Sequence, residues 1–105
     1  MSENWVEVAK LGDVPEDGTF VVSVAGEPVC LYNLGGRIYA THEICTHAQA
    51  SLAEGFIEGE NIECPLHQAL FHIPTGKVVS APATVALRVY PVKVEGDAVY
   101  VALQG

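Results

Sequence analysis

Two short segments constrain the fold more than anything else in the chain. Cys45-Thr46-His47 and Cys64-Pro65-Leu66-His67 each present one thiol and one imidazole, and the sixteen residues from 48 to 63 lie between them. Such pairs read as metal ligands, so the chain must turn back and bring the two segments together. Two thiolates and two imidazoles can close a tetrahedral zinc site. They can equally hold a [2Fe–2S] cluster, with sulfur ligands on one iron and nitrogen ligands on the other. Zinc sites commonly pair their cysteines in Cys-x-x-Cys knuckles, and neither segment contains one. One cysteine and one histidine in each segment suit two bridged irons better.

The flanking sequence reads as β structure. Trp5-Val6-Glu7-Val8 alternates, Gly12 to Gly18 is turn-like, and Thr19–Val24 alternates again. Ala25-Gly26-Glu27-Pro28 turns into Val29–Leu34, and Gly35-Gly36 turns into Arg37–Thr41, which predicts an antiparallel meander. From His42 to Ala83 the alternation fades into ligand residues, Gly and Pro, with short strands expected only at Ile62-Glu63 and Ala69–His72. Gly55, Gly59, Pro74-Thr75 and Gly76 supply turns there. Alternation resumes over Leu87–Val94, turns at Glu95-Gly96-Asp97 and returns through Ala98–Leu103 as a closing hairpin. Pro91 cannot donate a ladder hydrogen bond, so its strand is expected at an edge or at a bulge. No segment has a helical period, and the predicted class is all-β, a small antiparallel sandwich or barrel with an inserted loop-rich metal-binding part.

At 105 residues the chain fits one small domain, of a size that a bound metal would help to stabilise. Half the residues are hydrophobic and the formal charge is −8, which argues against nucleic acid and anionic membrane as partners and suits a basic protein. The polar, acidic start lacks the features of an export signal and no stretch approaches membrane-spanning length, so a cytoplasmic protein is expected. Three cysteines do not make a disulfide framework. Cys30, in the apolar run Val29-Cys30-Leu31-Tyr32, is expected to be a buried core thiol.

The ligand spacing and its context resemble the Rieske ferredoxins. Their pattern is Cys-x-His, a spacer, then Cys-x-x-His, met here at Cys45, His47, Cys64 and His67. The resemblance extends to Tyr39-Ala40-Thr41, Glu63-Cys64-Pro65-Leu66-His67, Phe71, Thr75-Gly76-Lys77, Pro82 and Tyr90-Pro91-Val92. It implies one Rieske-type [2Fe–2S] cluster, with Cys45 and Cys64 on the buried iron and His47 and His67 on the outer one. It also implies a single Rieske domain over 1–105, its basal β part about 1–41 and 84–105 and its cluster-binding part about 42–83. Replacing two thiolates by neutral imidazoles removes two negative charges, so such a centre lies at roughly −150 to +300 mV against about −400 mV for all-cysteine plant-type clusters.

Within that range the neighbouring residues point low. High-potential relatives carry a disulfide where this chain has Ala50 and Leu66, and Ser and Tyr hydroxyls where it has Ala69 and Phe71. Fewer hydrogen bonds to sulfur leave the oxidised form favoured. The family commonly has Gly and Asp at the positions of Gln68 and His72, a departure that touches no ligand.

The function implied is that of a one-electron carrier, not an enzyme, between a flavin-containing ferredoxin reductase and a terminal ring-hydroxylating oxygenase of aromatic catabolism. Both contacts are expected to be transient and the carrier monomeric. The alternative is a small Rieske subunit of another oxidoreductase, such as a nitrite reductase. An oxygenase would need a second iron held by two histidines and a carboxylate, and only His42 and His72 remain. Those two histidines read as structural, Glu43, Glu54 and Glu58 as a solvated face, and Trp5 and the tyrosines as core.

Overall fold

The computed structural model describes residues 5–45, 50–65, 69–81 and 85–102. Eleven strands run through them: β1 (Trp5–Lys10), β2 (Thr19–Val24), β3 (Glu27–Leu34), β4 (Arg37–His42), β5 (Phe56–Glu58), β6 (Asn61–Glu63), β7 (Leu70–His72), β8 (Val78–Ser80), β9 (Val89–Tyr90), β10 (Val92–Glu95) and β11 (Ala98–Ala102). All the ladders are antiparallel, and they form three sheets ordered β1-β11-β10, β2-β3-β4-β9 and β5-β6-β7-β8. The only helical pieces among the described residues are 3-10 turns at Leu11–Asp13 and Leu52–Glu54. The all-β class is therefore as the sequence indicates.

The meander β2-β3-β4 forms as expected, because Ala25-Gly26 and Gly35-Gly36 all adopt positive φ, the backbone that a tight hairpin between twisted strands needs. The run from Leu87 to Val94 differs from its reading as one strand. It breaks at Pro91 into β9, which pairs with β4, and β10, which pairs with β11. Both halves are sheet edges. A residue without an N–H fits the point where the chain leaves one sheet for another, and the Pro91 carbonyl still accepts from Ala102 at 3.1 Å. Two strands, β5 and β8, were not legible, since three residues give no period.

Strand β3 is the wall between two apolar clusters. Its alternate residues Val29 and Leu31 pack with Val14, Val24, Ile38, Ala40, Tyr90, Val99 and Val101. Cys30 and Tyr32 point to the other side, among Cys45, Leu52, Ile62, Cys64, Phe71 and Ile73. Each fully buried aliphatic or aromatic side chain contributes about 2 kcal/mol of burial, so β3 ties the two clusters into one folded unit. Cys30 is the buried core thiol expected. Tyr32 and Tyr90 are core residues, but Trp5 and Tyr100 are not: they lie on the surface of the β1-β11-β10 sheet, flanking the Lys93 ammonium at 4.9 and 5.4 Å from their ring centroids.

Candidate iron–sulfur site

The two predicted cysteines occupy equivalent places in two hairpins. Ile44 and Ser51 form an antiparallel bridge, and beyond it the Cys45 N–H donates to the Ala50 carbonyl at 2.9 Å. Glu63 pairs with Leu70, and beyond that pair the Cys64 N–H donates to the Ala69 carbonyl at 2.8 Å. Each closure spans six residues, from cysteine to alanine. Both thiols are buried, at 4% and 0% exposure, and both belong to the same apolar cluster.

The supports of the two hairpins differ. The second is carried by the β5–β8 sheet, whose inner face presents Ile57, Ile62, Phe71 and Val78 to the cysteine cluster. The first has one bridge and is fastened by side chains. Ser51 Oγ donates to Glu43 Oε2 at 2.5 Å and accepts from the Ala53 N–H at 3.2 Å, capping the 3-10 turn Leu52–Glu54. The Leu52 N–H donates to the Glu43 carbonyl, and the Glu43 N–H to that of Pro28. Glu43 is thus a half-buried clamp, unlike Glu54 and Glu58, which are exposed as expected. The signal was present in Ser51-Leu52-Ala53-Glu54, a capping pattern that marks Ser51 as a turn-starting residue.

Two glycines allow the packing. A Cβ on Gly55 would lie 1.9 Å from the Glu63 carbonyl oxygen, so only glycine lets the chain leaving the first hairpin pass against β6. At Gly76, with φ +77, a Cβ would lie 2.3 Å from the Leu87 carbonyl oxygen, where the Leu87 N–H donates to the Gly76 carbonyl. That contact fastens the chain at Leu87 onto the β7–β8 turn.

His42 and His72 are structural. The His72 ring contacts Thr75 Oγ1 at 2.8 Å through Nδ1 and Glu60 Oε1 at 3.1 Å through Nε2, tying together the β5–β6 and β7–β8 turns at the end of the sheet away from the cysteines. His42 Nδ1 accepts from the Ile44 N–H at 3.4 Å, and its Nε2 lies 3.8 Å from Glu27. Ala69 and Phe71 are fully buried and offer no hydroxyl. His47, Leu66, His67, Gln68 and Pro82, named from the sequence, lie outside the described residues.

Two buried thiols at matching hairpin positions, inside one water-excluding cluster, are a donor set for a soft metal–sulfide group. They fit the sulfur-ligated half of a Rieske centre, which in this geometry is shielded by Leu52, Ile62 and Phe71.

The model of the Rieske [2Fe-2S] domain matches residues 4–91, and the chain belongs to that family, whose cofactor is one such cluster. It is similar to the ferredoxin component of the naphthalene 1,2-dioxygenase system of Pseudomonas aeruginosa, with 44% identity over 98% of this chain and 99% of that one. Among solved structures it is similar to the ferredoxin bound to the oxygenase of carbazole 1,9a-dioxygenase, at 39% identity and a TM-score of 0.88, covering 96% of this chain and 94% of that one. The carbazole 1,9a-dioxygenase ferredoxin of Nocardioides aromaticivorans IC177 superposes with a TM-score of 0.91 at 33% identity, over 96% and 99% of the two chains. A protein described as a nitrite reductase small subunit, at 23% identity, shares the fold alone. Among the described residues no helix is long and apolar enough to cross a membrane.

Proposed function

We propose that the chain is the electron-carrying ferredoxin of a ring-hydroxylating dioxygenase system, receiving one electron at a time from a flavin-containing reductase and delivering it to a terminal oxygenase. It catalyses no reaction of its own. The observation that carries the reading is the pair of buried cysteines at equivalent hairpin positions, in a chain that aligns end to end with ferredoxin components of such systems. Cys45 and Cys64 would hold the inner iron, and His47 and His67 the outer one. A bound cluster supplies one reversible electron.

The protein's own part is to fix, dry and expose. The paired N–H to carbonyl closures hold the two cysteines in place, and the cluster around Phe71 and Leu52 keeps water from the sulfur side. With Ala69 and Phe71 lacking hydroxyls, the potential falls at the low end of the Rieske range. The same reading takes 1–105 as one domain, with the cluster-binding part about 42–83, and the protein as a cytoplasmic monomer that meets its partners transiently.

Iron, zinc and acid-labile sulfide analysis with EPR tests this directly. The expected result is two irons and two sulfides per chain, no signal when oxidised, and on reduction a rhombic signal of lower average g than all-cysteine clusters give. One zinc without sulfide would overturn it.

A further inference from the structure

We infer that the outer face of the β5–β8 sheet, centred on Phe56, is the surface through which this carrier docks on the terminal oxygenase. The inference rests on the carrier reading above and names the part of the molecule that the partner grips.

Residues opposite one another in an antiparallel ladder share a face, as do alternate residues of one strand. Phe56 pairs with Glu63, Glu63 with Leu70, and Leu70 with Ser80, while two rows further, on the same face, Glu58 pairs with Asn61 and Asn61 with His72. Ile57, Ile62 and Phe71 point the other way, into the cysteine cluster. The outer face therefore presents Phe56, Leu70, Glu58 and Glu63 together. Phe56 is 68% exposed, the most exposed large hydrophobic side chain among the described residues, and Leu70 is half-buried beside Glu63.

A single exposed apolar residue is ordinary. Position and charge distinguish this one. The row Phe56-Glu63-Leu70 is the last ladder row before Cys64 and Ala69, so a partner seated on it lies against the second cysteine hairpin. The backbone on either side of Phe56 is fixed, since Gly55 packs against the Glu63 backbone and Ile57 packs inward. His72, fixed through both ring nitrogens, locks Glu60 at the far rim.

The charge selects the kind of occupant, and the ferredoxin–oxygenase complex of the related carbazole 1,9a-dioxygenase makes the oxygenase the one proposed. From residue 38 to 76 the chain has five glutamates, Glu43, Glu54, Glu58, Glu60 and Glu63, and no lysine or arginine. An aromatic anchor rimmed by carboxylates fits an apolar socket edged by Lys and Arg on a partner protein. It does not fit a second copy of this chain, because a two-fold contact would set Glu58, Glu60 and Glu63 against themselves.

The test uses the iron-loaded full chain with the purified reductase and oxygenase of a naphthalene 1,2-dioxygenase system, timing separately the reduction of the carrier and its delivery to the oxygenase. In Phe56→Ala the oxygenase KM for the carrier is expected to rise at least about fivefold, as for a central interface anchor. Reduction by the reductase and the EPR signal stay as in wild type. Glu58→Lys with Glu63→Lys is expected to raise the same KM and flatten its salt dependence, while Val94→Ala, exposed on another sheet, changes neither step. Unchanged delivery in Phe56→Ala, an equal loss at both steps, or a carrier dimer that Phe56→Ala dissociates would each overturn the surface. A wild-type carrier that accepts electrons and never delivers them would overturn the functional reading itself.

Discussion

The two cysteine hairpins reach the same closure by different means. Cys45 donates to Ala50 and Cys64 to Ala69 over the same six-residue span, yet the second hairpin grows from a four-stranded sheet while the first stands on one bridge and the Glu43–Ser51 clamp. A metal centre needs its ligands held to within a fraction of an ångström, and it does not matter whether a ladder or a pair of side chains does the holding. The difference is in what breaks each. A ladder is distributed over many backbone groups and resists single substitutions, whereas a side-chain clamp is concentrated in two residues.

The largest expected effect falls on both hairpins alike. Cys45→Ser and Cys64→Ser are each expected to abolish cluster binding, read as loss of iron and sulfide, because a buried hydroxyl replaces the soft sulfur donor. Retention of the cluster by either variant would break the equivalence of the two hairpins. Gly55→Ala comes next. Its Cβ has no space beside the Glu63 carbonyl, so the junction between the hairpins must open at a cost of about 3 kcal/mol in urea denaturation. Gly59→Ala, with φ +61 and nothing within 4 Å, is expected to cost only about 1 kcal/mol of backbone strain. Equal losses in the two would show that crowding at β6 is not what Gly55 relieves.

How far these features could be read in advance depends on the range of the forces behind them. The long strands β2, β3 and β4 were plain because alternation and turn glycines act within a few residues. The two cysteine–histidine segments stood out because metal chemistry restricts both residue type and spacing. Strands β5 and β8 exist only through their pairing with β6 and β7, and nothing local in Phe56-Ile57-Glu58 distinguishes strand from loop. Pro91 announced an edge but not the change of sheet, which depends on where β4 and β11 lie. Glu43 passed for a solvated charge because its partner is eight residues away, across a bridge that forms only in the folded hairpin.

Ser51→Ala separates the hairpins most cleanly. It removes the cap on the Ala53 N–H and the donor to Glu43, for an expected loss of about 1–2 kcal/mol. Hydrogen exchange by mass spectrometry on the oxidised, iron-loaded protein is expected to accelerate in 43–54 and to remain unchanged in 61–72. Acceleration of both would mean that the hairpins open as one unit. Ala69→Ser and Phe71→Tyr perturb the second hairpin more gently, since each adds one hydroxyl. Either is expected to raise the reduction potential within the roughly −150 to +300 mV of Rieske centres, and a fall in voltammetry would rule out missing sulfur hydrogen bonds as the cause of a low potential.

The smallest effect at neutral pH belongs to the third thiol, which shares the apolar cluster with Cys45 and Cys64 but sits on a strand. Burial pushes the Cys30 thiol up to about 12 from 9.0, and burial likewise holds the Tyr32 phenol well above 10.0. Each group keeps its proton more tightly in the folded state. Its contribution is therefore complete below the unfolded value and is lost as pH rises toward the folded one. For Cys30 that window runs from about 9 to about 12, with a slope approaching 1.4 kcal/mol per pH unit once the unfolded thiol ionises. Among the described groups raised by burial, Cys30 is the first to lose its contribution, because Tyr32 and Tyr90 join only above their unfolded value of 10.0. Cys30→Val is expected to lie within about 1 kcal/mol of wild type at pH 7 and to lack the decline between pH 9 and 10. If that decline persists in the variant, the proton is lost from another group, and Cys30 is no measure of how strongly this cluster excludes charge from the sulfur of the two hairpins.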